Sequence, residues 1–125
     1  MLSHAKVHTA LPAADLGRPR VFYKETLGLS PSHDYPWALV YELESGTRFS
    51  VFRTPNRARG GHTQMGFAVD DVRAAVADLK EAGVVFEEYD APELKTIDGV
   101  ADMEGRSAAW FKDTEGNLIE LLEFE

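Results

Sequence analysis

The chain has 125 residues, 44% of them hydrophobic, enough to bury one core and too few for a second independent domain. It contains no cysteine, which excludes disulfides and thiolate metal sites; the opening MLSHAKVHTA lacks the apolar run of a signal peptide or membrane span, so a cytoplasmic location is expected. A net charge of −8 repels phosphate backbones and anionic membranes, so neither nucleic acid nor membrane is an expected partner.

In chain order, KVHTAL alternates as a half-buried strand, with Val7, Thr9 and Leu11 on one face and Lys6, His8 and Ala10 on the other. A helix follows. Asp15 caps it, Pro19 suits its first turn, Phe22, Tyr23 and Leu27 supply apolar contacts, and Gly28 ends it. WALVYELE and TRFSVFRT flank Ser45-Gly46 and read as an antiparallel hairpin. RTPNRARGG, with Arg53, Arg57 and Arg59, comes nearest to a basic patch, but its Pro and Gly content makes it a solvated linker ahead of an anion site.

After the linker, HTQMGFAV alternates as a strand, and DDVRAAVADLKEAG is an amphipathic helix with Val72, Ala75, Val76 and Leu79 on one stripe and Gly83 at its end. VVFEEYD reads as a strand, the stretch from about Ala91 to Gly105 as a loop, and RSAAWFKD and NLIELLEF as a strand pair around Thr114-Glu115-Gly116. Strand, helix and three strands are thus written twice. An offset of 56 residues places His8 on Gln64, Leu11 on Phe67, Asp15 on Asp71 and Leu16 on Val72; an offset of 70 places Gly46 on Gly116 and Ser50 on Glu120.

One helix per unit covers one sheet face and leaves the other for a partner or a ligand. Alternation sends His8, Ala10, Ser50, Phe52, Gln64, Gly66, Glu120 and Leu122 away from the helices, so these eight line one cleft if the two sheets curl toward each other.

LPAADLGRPRVFYKETLGL, GFAVDDVRAAVADLKEAGV and WFKDTEGNLIELLE together resemble the vicinal oxygen chelate superfamily, which holds glyoxalases, bleomycin and fosfomycin resistance proteins and ring-cleaving dioxygenases. The likeness covers nearly the whole chain. It implies an α+β fold of two paired βαβββ modules, about residues 1–57 and 62–125, forming a cupped mixed sheet with the helices outside, commonly as a homodimer. It also implies a divalent metal (Zn, Ni, Mn or Fe) held on equivalent strands. The matching positions are His8, Ser50, Gln64 and Glu120, where Gln64 stands in the place of a more usual His and Ser50 in the place of a carboxylate.

A Lewis-acid site needs about three protein ligands and an open position. His8, Gln64 and Glu120 meet that count with one imidazole, one weak neutral amide oxygen and one carboxylate. Taken singly, His8 is a strand histidine satisfied by its neighbours, and Gln64 a polar residue hydrogen-bonding a ligand or water. Glu120 shares its face with Leu118 and Leu122, so partial burial would suit it to act as a catalytic general base. His62 lies about 6.6 Å from Gln64 along the strand, too far to replace a ligand, and reads as a linker histidine or a group at the cleft mouth. Phe52 faces the cleft, and hairpin register decides whether Trp110 or Phe111 joins it. Lys95 and Asp98 sit in the inserted loop, a candidate lid.

Three functions compete: a binding protein that holds a small molecule in the cleft, a metal-dependent isomerase or lyase of glyoxalase type, and a purely structural dimer. The missing His favours the first, with Ser50, Phe52, His62 and an aromatic of the Trp110-Phe111 pair lining the site.

Overall fold

The computed structural model describes residues 1–56, 58 and 61–124; Arg57 and Arg59 of the expected linker lie outside the described residues. Its elements run β1 (Thr9–Ala13), α1 (Gly17–Glu25), β2 (His33–Asp34), β3 (Ala38–Glu42), β4 (Arg48–Arg53), β5 (Met65–Ala68), α2 (Val72–Glu81), β6 (Asp90–Ala91), β7 (Leu94–Lys95), β8 (Ala101–Met103), β9 (Arg106–Lys112) and β10 (Leu118–Phe124). The strands form one sheet in the order β1-β4-β3-β2, a second in the order β5-β10-β9-β8, and a separate β6-β7 hairpin. This is the α+β arrangement of two βαβββ modules.

The duplication holds at the level of single residue pairs. Ala10 pairs with Ser50 across the parallel β1-β4 edge, and Gly66 pairs with Glu120 across β5-β10. Val40 then stands opposite Ser50, and Trp110 opposite Glu120. All of these pairs obey the two offsets read from the sequence. The turns agree as well: Gly46 and Gly116 adopt φ of 92° and 85°, a conformation that costs a side-chain-bearing residue strain. Equivalent aspartates hold the helix starts, Asp15 Oδ2 accepting from Arg18 N at 2.9 Å and Asp71 Oδ1 from Ala74 N at 3.1 Å.

Two expectations need correction. The first strand starts at Thr9, so Val7 and His8 precede it, and Val7 is solvent-exposed. In the second module, VVFEEYD is not a regular strand, and the Ala91–Gly105 stretch is not a plain loop. β8 pairs with the first part of β9, while farther along β9 Phe86 forms an isolated bridge to Phe111 and Glu87 N donates to Trp110 O at 2.8 Å. Two separate segments therefore share the fourth strand position, with the β6-β7 hairpin inserted between them.

The helix-facing sides of both sheets merge into one core containing Leu11, Tyr23, Leu39, Tyr41, Phe49, Val51, Val72, Val76, Phe86, Phe111, Ile119 and Leu121. Tyr41 stacks on Phe49 with ring centroids 4.8 Å apart and on Tyr23 at 5.3 Å. Among the described residues its buried hydroxyl has no hydrogen-bond partner, and burial pushes the phenol up to about 12. An unpaired buried hydroxyl costs its desolvation and returns nothing. Tyr41→Phe is therefore expected to be neutral or stabilising by about 1 kcal/mol in urea titration; a loss of stability would show that the hydroxyl has a partner in solution.

Candidate functional site on the concave faces

Even-numbered residues of β9 and β10 leave the core and form the concave face of the second module. There Ala101, Ala108, Trp110 and Leu118 make a second buried apolar cluster, packed by Tyr89, Leu94, Met103 and Leu122. The β6-β7 hairpin carries this cover: Tyr89, just before β6, meets the Trp110 ring edge-on at 5.6 Å, and Thr96, just after β7, receives the Tyr89 N–H on its Oγ1 at 2.8 Å. The Trp110 indole donates to Thr63 Oγ1 at 3.0 Å. Register assigns Trp110 to the Glu120 side and leaves Phe111 opposite Ile119, wholly buried under the helices against Phe86.

Glu120 sits within this apolar surface at 8% exposure, with Arg106 Nη2 at 3.5 Å from Oε2. Arg106 lies on the same face, four residues before Trp110, so its long side chain extends along the strand toward Glu120. Gly66 lets β5 pack closely beside the carboxylate: a Cβ built there would lie 3.4 Å from Glu120 Oε1 and only 3.0 Å from Leu122 Cδ2.

The first module's concave face is more open. Val40, Ser50 and Phe52 are half-buried, and at the strand edge the rings of His33, Tyr35 and Trp37 stack in a row, with centroids 5.9 and 5.0 Å apart and interplanar angles of 3° and 13°. Trp37, at the end of that row, is 61% exposed. Between the modules a cavity of about 440 Å³ runs along the seam, bounded by His8, Phe49, Met65, Gly66, Phe67 and Ala68 among others.

A model of the Glyoxalase/Bleomycin resistance protein/Dioxygenase superfamily matches residues 6–121. The chain belongs to this superfamily. Among solved structures it resembles TnmS3, an antibiotic binding protein from Streptomyces sp. CB03234, at 23% identity and a TM-score of 0.70, over 100% of this chain and 99% of that one. A glyoxalase/bleomycin resistance protein/dioxygenase from Alicyclobacillus acidocaldarius is similar at 18% identity, TM-score 0.71, over 97% and 92% of the two chains. A third relative, from Catenulispora acidiphila DSM 44928, gives 22%, 0.66, and 96% and 98% coverage. These similarities show the fold. No curated protein matches in sequence.

Members of the superfamily often bind a metal, so the donor positions matter. Gln64 is spent: its Nε2 donates to Asn117 Oδ1 at 3.0 Å and its Oε1 accepts from Leu118 N at 3.2 Å. That amide laces the start of β10 to the residue before β5. His8 is exposed and borders the seam cavity with Gly66, while Glu120 is engaged by Arg106. Among the described residues, no hydrogen bond or ion pair joins His8, Gln64 and Glu120, and no group of three or more His, Asp and Glu side chains converges. With the amide consumed and the carboxylate paired to a cation, this donor set does not fit a divalent ion. Ser50 contributes only a hydroxyl, and His62 is exposed beyond the start of β5. Lys95 pairs with Asp90 at 3.7 Å, and Asp98 occupies a tight turn whose carbonyl accepts from Lys80 Nζ at 3.2 Å.

A group that sequence reasoning missed is the turn from Asp113 to Asn117. Glu115, wholly buried, accepts from Ala14 N, Asp15 N and the Arg18 guanidinium, and Asn117 Nδ2 donates to Pro12 O at 3.1 Å and to Asp113 Oδ2 at 2.8 Å. This network ties the second module to the start of the first helix. The polar run Asp113-Thr114-Glu115-Gly116-Asn117 signals a turn in the sequence; its distant partners have no local signature.

Proposed function

We propose that this protein is a small-molecule-binding member of its superfamily, holding a largely apolar organic ligand on the concave side of its sheets. The observation that carries the reading is the lining itself. Phe52, Val40 and the row ending in Trp37 make the first module's concave face largely apolar, and on the second module Trp110, Leu118 and Leu122 flank a polar pair, Glu120 and Arg106. Aromatic and aliphatic walls with few convergent polar groups suit organic ligands, and the adjoining seam cavity, which reaches the second module's concave face at Gly66, falls within the range of about 300–1,000 Å³ of small-molecule sites. The description of TnmS3 as an antibiotic binding protein points the same way. A homodimer and a cytoplasmic location accompany this reading.

Both tryptophans of the chain, Trp37 and Trp110, border the concave faces, so their emission reports on occupancy. Titration with planar aromatic antibiotics is expected to give saturable quenching, weakened about tenfold in Phe52→Ala by loss of one ring contact. Emission unchanged by any of them would count against the reading.

A further inference from the structure

We infer that Glu120 and Arg106 recognise a neutral ligand group carrying a hydrogen-bond donor beside an acceptor, such as a primary amide, lactam or urea, in place of a metal ion. The inference rests on the binding reading above and specifies the ligand's polar end.

Buried carboxylates ordinarily gather several donors, because an ionised group out of water is costly unless hydrogen-bonded. Asp113 and Glu115 of this same chain do so. Glu120 is nearly as buried, yet among the described residues no hydrogen bond reaches it, and its one partner is Arg106 at 3.5 Å. The sole fully buried side-chain oxygen or nitrogen without a partner, among the described residues, is the Tyr41 hydroxyl, so both Glu120 oxygens keep a window to solvent. Beside that window stands Gly66, which has no side chain and also borders the seam cavity. The protein thus leaves acceptor capacity open next to Gly66, the residue that the seam cavity touches.

Charge narrows the chemistry. Glu120 and Arg106 already cancel, so an added ammonium would leave a net positive charge in a partly apolar place, and a carboxylate a net negative one. A neutral donor–acceptor group disturbs neither, its N–H donating to Glu120 and its oxygen accepting from the guanidinium, which offers five N–H donors.

Three matched probes test this in the full chain, read by tryptophan emission: 2-naphthamide (donor and acceptor), methyl 2-naphthoate (acceptor only) and 2-naphthylmethylammonium (cation). The amide is expected to bind about tenfold tighter than the ester in wild type, with the ammonium weakest. In Glu120→Leu, whose new side chain joins Leu118 and Leu122, the amide is expected to lose its advantage over the ester. Equal affinity of amide and ester in wild type, an amide advantage that persists in Glu120→Leu, or preference for the ammonium would overturn the inference alone. So would stoichiometric Zn or Ni retained by wild type after reconstitution and lost in Glu120→Leu. If none of the three probes bound, the broader binding reading would fall with it.

Discussion

Replacing Asp113 by alanine is expected to lower the unfolding free energy by about 4 kcal/mol, because one carboxylate there satisfies four donors. Its oxygens accept from Tyr23 OH at 2.8 Å, Asn117 Nδ2 at 2.8 Å, Glu115 N at 2.8 Å and Asn117 N at 3.0 Å. Tyr23 and Asn117 are completely buried, so water cannot replace the lost acceptor without opening the core. Each orphaned buried donor costs about 1–3 kcal/mol. Against a total stability of about 5–15 kcal/mol, the thermal midpoint should fall by roughly 10–15 °C. Calorimetry provides the check, and a drop under about 3 °C would mean that the turn relaxes around the gap. The effect on ligand binding should be indirect, since Asp113 lies at the seam of the modules and not among the concave-face residues.

Glu115→Gln should be the next most damaging change, and its signature lies in pH. Burial by itself would raise the Glu115 pKa; the hydrogen bond from Arg18, joined by the Asp15 N–H, the charge of Arg18 and the Ala14 N–H, outweighs it and holds the carboxyl below its ordinary value of 4.5. A carboxyl whose folded pKa lies below its unfolded one contributes stability that is complete above the unfolded value and vanishes as pH falls through the folded one. Wild type should therefore lose stability below about pH 4.5, while Glu115→Gln, already weaker by about 2 kcal/mol at neutral pH, should show a shallower acid decline. Urea midpoints between about pH 7 and pH 3 measure this directly. Parallel profiles for the two proteins would assign the acid sensitivity to other groups.

What could be read in the sequence was what repeats locally. Alternation placed Leu11, Phe49, Ile119 and Leu121 in the core, and the two offsets reproduced the strand registers pair by pair because turns of one type were written at Gly46 and Gly116. The same alternation misled at Val84–Asp90. It reports which side chains become buried, as Val84 and Phe86 are, but is silent on whether the backbone finds a strand partner. Periodicity could not show that the amide of Gln64 is claimed by Asn117, a contact spanning 53 residues, nor that Arg106 extends toward Glu120. Both decide what the pocket can hold.

The clamp at Glu115 has a consequence for how the molecule comes into being. Its bonds to Ala14, Asp15 and Arg18 bridge 97 to 101 residues, so the amides at the start of the first helix gain these partners only after the intervening stretch has been synthesised. At about 5–20 residues per second, that leaves the earlier half waiting for roughly 5–20 s with one flank unsealed. Completion of this flank is thus tied to the emergence of the Asp113–Asn117 turn, and a nascent chain stalled before it would present a half-finished surface to chaperones.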